Sequence, residues 1–162
     1  MVSWEPSDVF SHLFNDSILQ YIIEQSNLYA QQTMGVANYN SWQRITLEEL
    51  KAYLGFNVLM GLVRLPEIED YWKQDPFFHY APIADRIPRD QFRDISCYLH
   101  FCDNSTLAKR GQQGYDRLGK VRPVLNAIKA SVMDNYQPSR DIVVDEAMIP
   151  FQGQSCLKQY LP

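Results

Sequence analysis

The sequence has no apolar run long enough to span a bilayer. Its longest candidate, Tyr53 to Val63, is broken by Gly55, Asn57 and Gly61 and falls well short of the ~20 residues that a membrane helix needs. No secretory leader is expected from these residues either, because Met1 to Phe10 carry Glu5 and Asp8 and have neither a basic start nor an apolar stretch. Cysteine is scarce. Cys97, Cys102 and Cys156 form an odd set without framework spacing, which excludes a disulfide scaffold and favours reduced thiols in an intracellular setting. No pocket for a small-molecule ligand can be read from the residues.

Positive charge is short too. A net charge of -4 argues, taken as a sum, against a nucleic-acid binder, since phosphate contacts need Lys and Arg. The distribution changes that argument. Residues 1–75 hold ten acidic and four basic residues (-6), whereas residues 104–133 hold one acidic and six basic (+5). That segment contains Lys109, Arg110, Arg117, Lys120 and Arg122. It is a candidate phosphate-contacting patch, with a solvated surface weighing equally as the alternative.

What is present is enough to fold. At 46% hydrophobic and 13% aromatic content the 162 residues lie on the globular side of the boundary with disorder, and the length suits one core. From Asp16 to Gln32, Ile18, Leu19, Ile22, Ile23, Ser26, Tyr29 and Ala30 recur at three- and four-residue spacings. They predict a helix with one buried face, capped by Asp16 or Ser17. Met34 to Ser41 reads as a loop.

Thr46-Leu47-Glu48-Glu49 has the form of a capping box and predicts a helix from Leu47. That helix is apolar nearly all round from Ala52 to Val63 and is expected to be the central buried one, with Gly55 and Gly61 marking close contacts. Pro66 opens a short helix carrying Ile68, Tyr71 and Trp72, Asp75 to Arg86 is irregular, and Pro88 opens a helix with Phe92, Ile95 and Leu99 on one face. Asp103 to Tyr115 is a Gly- and Asn-containing loop. Leu118, Val121, Leu125, Ile128 and Val132 then predict a helix over about 117–136, with Pro123 bending it or marking its first turn. That stripe is read as core before dimer seam.

Beyond Pro138, Ile142-Val143-Val144 and the Cys156 to Leu161 stretch predict two strands joined by a turn at Gly153. Trp42, Tyr71 and Trp72 are expected in the core rather than stacking on bases, because no cation interleaves with them. Cys97, His100 and Cys102 make only three potential zinc ligands where a closed structural site wants four, so buried thiols and a packed histidine are preferred.

Several short stretches carry a resemblance in order along the chain: Asn27-Leu28-Tyr29-Ala30, Trp42 with Thr46 to Leu50, Met60-Gly61-Leu62 with Arg64-Leu65-Pro66, and Asp70-Tyr71-Trp72. The order continues with Ile87 to Phe92, Leu99-His100-Phe101, Lys120-Val121-Arg122-Pro123 and the run from Val144 to Gly153. As an ordered set they resemble the domain of piggyBac transposases and of the domesticated proteins derived from them.

The resemblance implies a helical region for dimerisation and DNA contact, followed by a ribonuclease H-like core with three aspartates and two magnesium ions. Asp145 corresponds to the first aspartate and so to a catalytic and metal-binding position. A two-metal site gathers carboxylates from separate elements, yet after Glu146 no acidic residue follows in this sequence. Gln154 stands where the family commonly has arginine, which removes a bidentate phosphate contact.

The expected architecture is therefore mainly α. Residues 1–137 form a helical bundle, and residues 138–162 a short β-hairpin that begins a truncated ribonuclease H-like core. The expected function is nuclear association with double-stranded DNA, or dimerisation with a second copy, without transposition activity or a cofactor of its own. The alternatives are a protein-interaction module or decaying remnant without a DNA role, and a piece of a longer active metal-dependent transposase.

Overall fold

The computed structural model describes residues 5–143 and Asp145. Seven α-helices order these residues: α1 (Pro6–Leu13), α2 (Asp16–Thr33), α3 (Val36–Tyr39), α4 (Leu47–Leu62), α5 (Ala81–Ala84), α6 (Arg89–Tyr98) and α7 (Arg122–Asn135). Short 3-10 turns at Ile68–Trp72 and Asn104–Thr106 complete the set.

The helix around which the others pack is α2. It buries Ile18, Leu19, Ile22, Ile23 and Ala30 against α4, α6 and α7. Each large aliphatic side chain removed from water there contributes about 1.5–3 kcal/mol as an upper bound. The helix starts one residue before the expected cap: Asn15 Oδ1 accepts from Ile18 N at 3.1 Å, leaving Asp16 and Ser17 inside the first turn.

Asn27, 3% exposed, is the polar node of this core. Its Oδ1 accepts from Trp42 Nε1 at 3.0 Å and from Ile45 N at 3.0 Å, and its Nδ2 donates to Ile45 O at 3.3 Å. The node ties the chain leaving α3 to the face of α2 and delivers it to α4. There the capping box forms as expected, with Thr46 Oγ1 accepting from Glu49 N and Glu49 Oε2 accepting from Thr46 N at 2.8 Å.

Helix α4 is not the central buried helix. Only Leu50, Tyr53 and Phe56 are buried on it, while Val58 is 62% and Leu62 77% exposed. A Cβ placed on Gly55 or Gly61 would meet no atom within 4 Å, so neither glycine marks a close approach. The apolar composition is uniform around the helix, but α2 and α6 cover only one side of it.

The aromatic residues pack as expected. Tyr71 is buried and its hydroxyl donates to Val63 O, while Trp72 Nε1 donates to Ile87 O at 2.7 Å. The Pro66 helix is instead a 3-10 turn after Glu67, whose N–H donates to Asp70 Oδ2 at 3.0 Å. Buried Asp70 also meets Lys73 Nζ at 2.5 Å, and that hydrogen bond lowers the Asp70 pKa. Two further short helices, α3 and α5, occupy stretches that read as loop or irregular chain.

Helix α1 has no counterpart among the sequence expectations. It buries none of its own residues and leans on α7, where Ser131 Oγ donates to His12 O at 2.6 Å. In α7, Pro123 lies within the first turn, and the buried residues are Val124 and Ser131. The predicted stripe is rotated off the core, leaving Val121, Leu125 and Val132 exposed.

The predicted β-hairpin is corrected. Among the described residues there is no strand, and Ile142 and Val143, expected to open the first one, are 67% and 93% exposed. A β-branched run is suited to a pleated sheet, but a strand exists only through pairing with a neighbour, and no such neighbour stands beside these two residues among those described. Among the described residues the fold is mainly α, without the opening of a ribonuclease H-like sheet. The second predicted strand, Cys156 to Leu161, lies outside the described residues.

Candidate nucleic-acid interface

The basic segment forms the connection from the Asn104–Thr106 turn to α7. Its outer part turns at Gly111 (φ 91°) and Gly114 (φ 84°), a left-handed backbone that glycine adopts without a steric cost. Lys109 N donates to Gln112 Oε1 at 2.7 Å, and Gln112 N to Lys109 O at 3.0 Å, closing a small turn that carries Lys109 and Arg110 outward.

The inner part is anchored. Asp116 Oδ1 accepts from Leu118 N at 2.9 Å and from Arg122 Nη2 at 2.9 Å, while its Oδ2 accepts from Arg122 Nε at 2.6 Å. This bidentate pairing matches the planar fork of guanidinium to carboxylate. The Arg122 hydrogen bond, then that from Leu118, holds the Asp116 carboxyl down at about 2. Gly119 packs closely here: a Cβ would lie 3.1 Å from Asp116 O and 3.2 Å from Leu107 Cδ2, so a side chain would make those neighbours give by a few tenths of an ångström.

The five basic candidates therefore divide. Lys109, Arg110, Arg117 and Lys120 are exposed and have no ion-pair partner among the described residues. Arg122 is spent on Asp116 and acts as the clamp of the loop rather than as a ready phosphate ligand. Its motif draws attention to it in the sequence; only the fold shows that Asp116, six residues earlier, neutralises it.

Asp145 is exposed. Among the described residues no three His, Cys, Asp or Glu side chains converge to hold a metal ion, so these residues do not fit a pair of divalent ions and no catalytic step follows from them. The Cys97, His100 and Cys102 set is dispersed as well. Cys97 is exposed and Cys102 buried, and burial pushes the Cys102 thiol up. The His100 ring stacks on Tyr29 at 4.0 Å, with Nε2 2.9 Å from Asn104 Oδ1. No helix among the described residues is long and apolar enough to cross a membrane.

Residues 5–162 match the family described as Transposase IS4. The human PiggyBac transposable element-derived protein 2 is 30% identical over 154 residues, which cover 95% of this chain and 24% of that protein. The human PiggyBac transposable element-derived protein 3 is 26% identical over 156 residues, 96% of this chain and 24% of its own length. The human PiggyBac transposable element-derived protein 5 is 27% identical over 145 residues, 88% of this chain and 26% of that protein. The chain thus spans about a quarter of the length of the curated relatives it matches. No solved structure matches it.

Proposed function

This chain belongs to the Transposase IS4 family in its piggyBac type, and from that premise we propose that it associates with duplex DNA through the Lys109 to Lys120 loop without strand transfer of its own. One observation carries the reading: four exposed cations without ion-pair partners, on a loop pinned by Asp116 and Arg122, in a chain whose net charge is -4. Other exposed cations without an ion pair among the described residues, such as Arg44, Arg86 and Lys129, lie outside that loop, but only the loop gathers four of them within twelve residues. Such a role places the protein in the nucleus, with a second copy as the other partner implied by the family.

Binding to a labelled duplex at increasing salt tests this. Neutralising four phosphates gives a slope of log K against log salt of about -3.6, a loss of roughly 150-fold between 50 and 200 mM. Replacing Lys109, Arg110, Arg117 and Lys120 by glutamine should abolish both binding and slope. Tight binding by that quadruple variant would refute the loop as the interface. Asp145, by resemblance the first catalytic aspartate, enters only the negative part of the proposal. Metal-stimulated nicking or joining by the chain, lost in Asp145→Ala, would overturn it.

A second reading, protein contact without DNA, draws on the exposed Val58, Leu62 and Phe77, at 62%, 77% and 90%. Scattered exposed apolar residues are common, but two of these lie on the apolar carboxy-terminal half of α4. The same titration separates the readings, because a protein-contact module shows no salt-dependent duplex binding.

A further inference from the structure

Away from the basic loop lies a groove of about 380 Å³ between the Trp42 loop, the start of α4 and helix α6. Its walls include Met34, Trp42, Pro88 and Ile95, and Glu49 and Asp94 bring carboxylates to it. No lysine or arginine lines it. The nearby cations on α6 are committed elsewhere, Arg89 to Asp90 at 3.0 Å and Arg93 to Glu69 at 3.6 Å.

The walls are set before any ligand arrives. The Trp42 indole is fixed by its bond to Asn27 and by an edge-on contact with Tyr98 at 4.9 Å between ring centroids. Glu49 is held by Thr46 N and by Gln91 Nε2. Asp94 is exposed and has no ion-pair partner among the described residues. A preorganised aromatic wall with an unpaired carboxylate beside it suits a guanidinium, which stacks on aromatic faces and pairs with carboxylates through one planar group.

We propose that this groove docks an arginine-bearing segment of a protein partner, with the side-chain stem along Trp42, Met34 and Pro88 and the guanidinium against Asp94. Charge decides the class of occupant. Two carboxylates repel phosphate, so nucleic acid is disfavoured here, whereas apolar walls and an acidic rim complement a basic peptide. Docking in the groove is independent of whether the Lys109 loop binds DNA.

The test uses the full 162-residue chain, isotope-labelled, titrated with acetyl-Gly-Arg-Gly-amide and with the same peptide carrying citrulline, which keeps the shape and removes the charge. The expected result is saturable movement of the Trp42 indole N–H signal together with the Gln91 and Asp94 amides. Affinity should fall about fivefold for the citrulline peptide, and by a similar factor in Asp94→Asn. Asp94→Glu should restore binding, which separates lost charge from lost structure. Equal binding of the two peptides, binding unaffected by Asp94→Asn, or movements that never saturate would overturn the proposal. Concentration-dependent movement of the groove and of the Lys109 loop without peptide would identify a second copy as occupant, and would equally overturn it.

Discussion

Replacing Asp116 by asparagine should tighten DNA binding, because it frees a cation that the fold now neutralises. In the native chain Arg122 gives both Nε and Nη2 to Asp116, at 2.6 and 2.9 Å. The substituted asparagine keeps an Oδ1 that can still accept from Leu118 N, so the turn survives, while the attraction that holds the guanidinium disappears. The Arg122 side chain is already 41% exposed and needs no opening of the core to reach solvent. One further phosphate contact steepens the salt slope from about -3.6 to about -4.5 and multiplies affinity about eightfold at 0.1 M salt.

Fluorescence anisotropy of a labelled duplex across 50–200 mM salt would read both numbers. In the otherwise native chain, Arg122→Gln should change affinity little, since that charge is already paired. The opposing effect is loss of loop order, which the Gly119 approach to Leu107 limits. If Asp116→Asn binds more weakly at an unchanged slope, the clamp serves by positioning the loop and the reasoning about a released cation is wrong.

Asn27→Ala should destabilise the fold by about 3 kcal/mol, because Trp42 Nε1–H and Ile45 N–H each lose their acceptor inside the core; a urea midpoint implying less than ~1 kcal/mol would contradict the node. Gly55→Ala should stabilise by up to ~1 kcal/mol and raise Tm by about 2–4 °C, since its Cβ meets open space and alanine is the better helix former; a lower Tm would mean that this face is covered in solution. The depressed Asp116 carboxyl stabilises the fold fully above its ordinary value of 3.8, and that contribution is lost as pH falls through about 2. Urea midpoints should therefore show the advantage of the native chain over Asp116→Asn shrinking below pH 4, and a gap constant down to pH 2 would count against the clamp.

Local signals in the sequence carried well. The spacing of Ile18, Leu19, Ile22 and Ile23 located α2 and its buried face, Thr46 and Glu49 located the start of α4, and Pro88 that of α6, because each depends on residues within a turn or two of one another. The charge count located the basic segment, and the ordered motifs located the family. Helix α1 escaped because it buries nothing of its own, and α3 and α5 because single helical turns carry no periodicity.

Tertiary structure decided what depends on neighbours far along the chain. An apolar helix such as α4 is central only if others surround it, and α2 and α6 leave Val58 and Leu62 open. Ile142 and Val143 have the composition of a strand, yet pairing requires a partner that no property of three consecutive residues can supply. The same holds for charge: composition placed five cations in one stretch, but the fold alone determined that Arg122 faces Asp116 while Lys109, Arg110, Arg117 and Lys120 remain available, since an ion pair is a matter of distance in space.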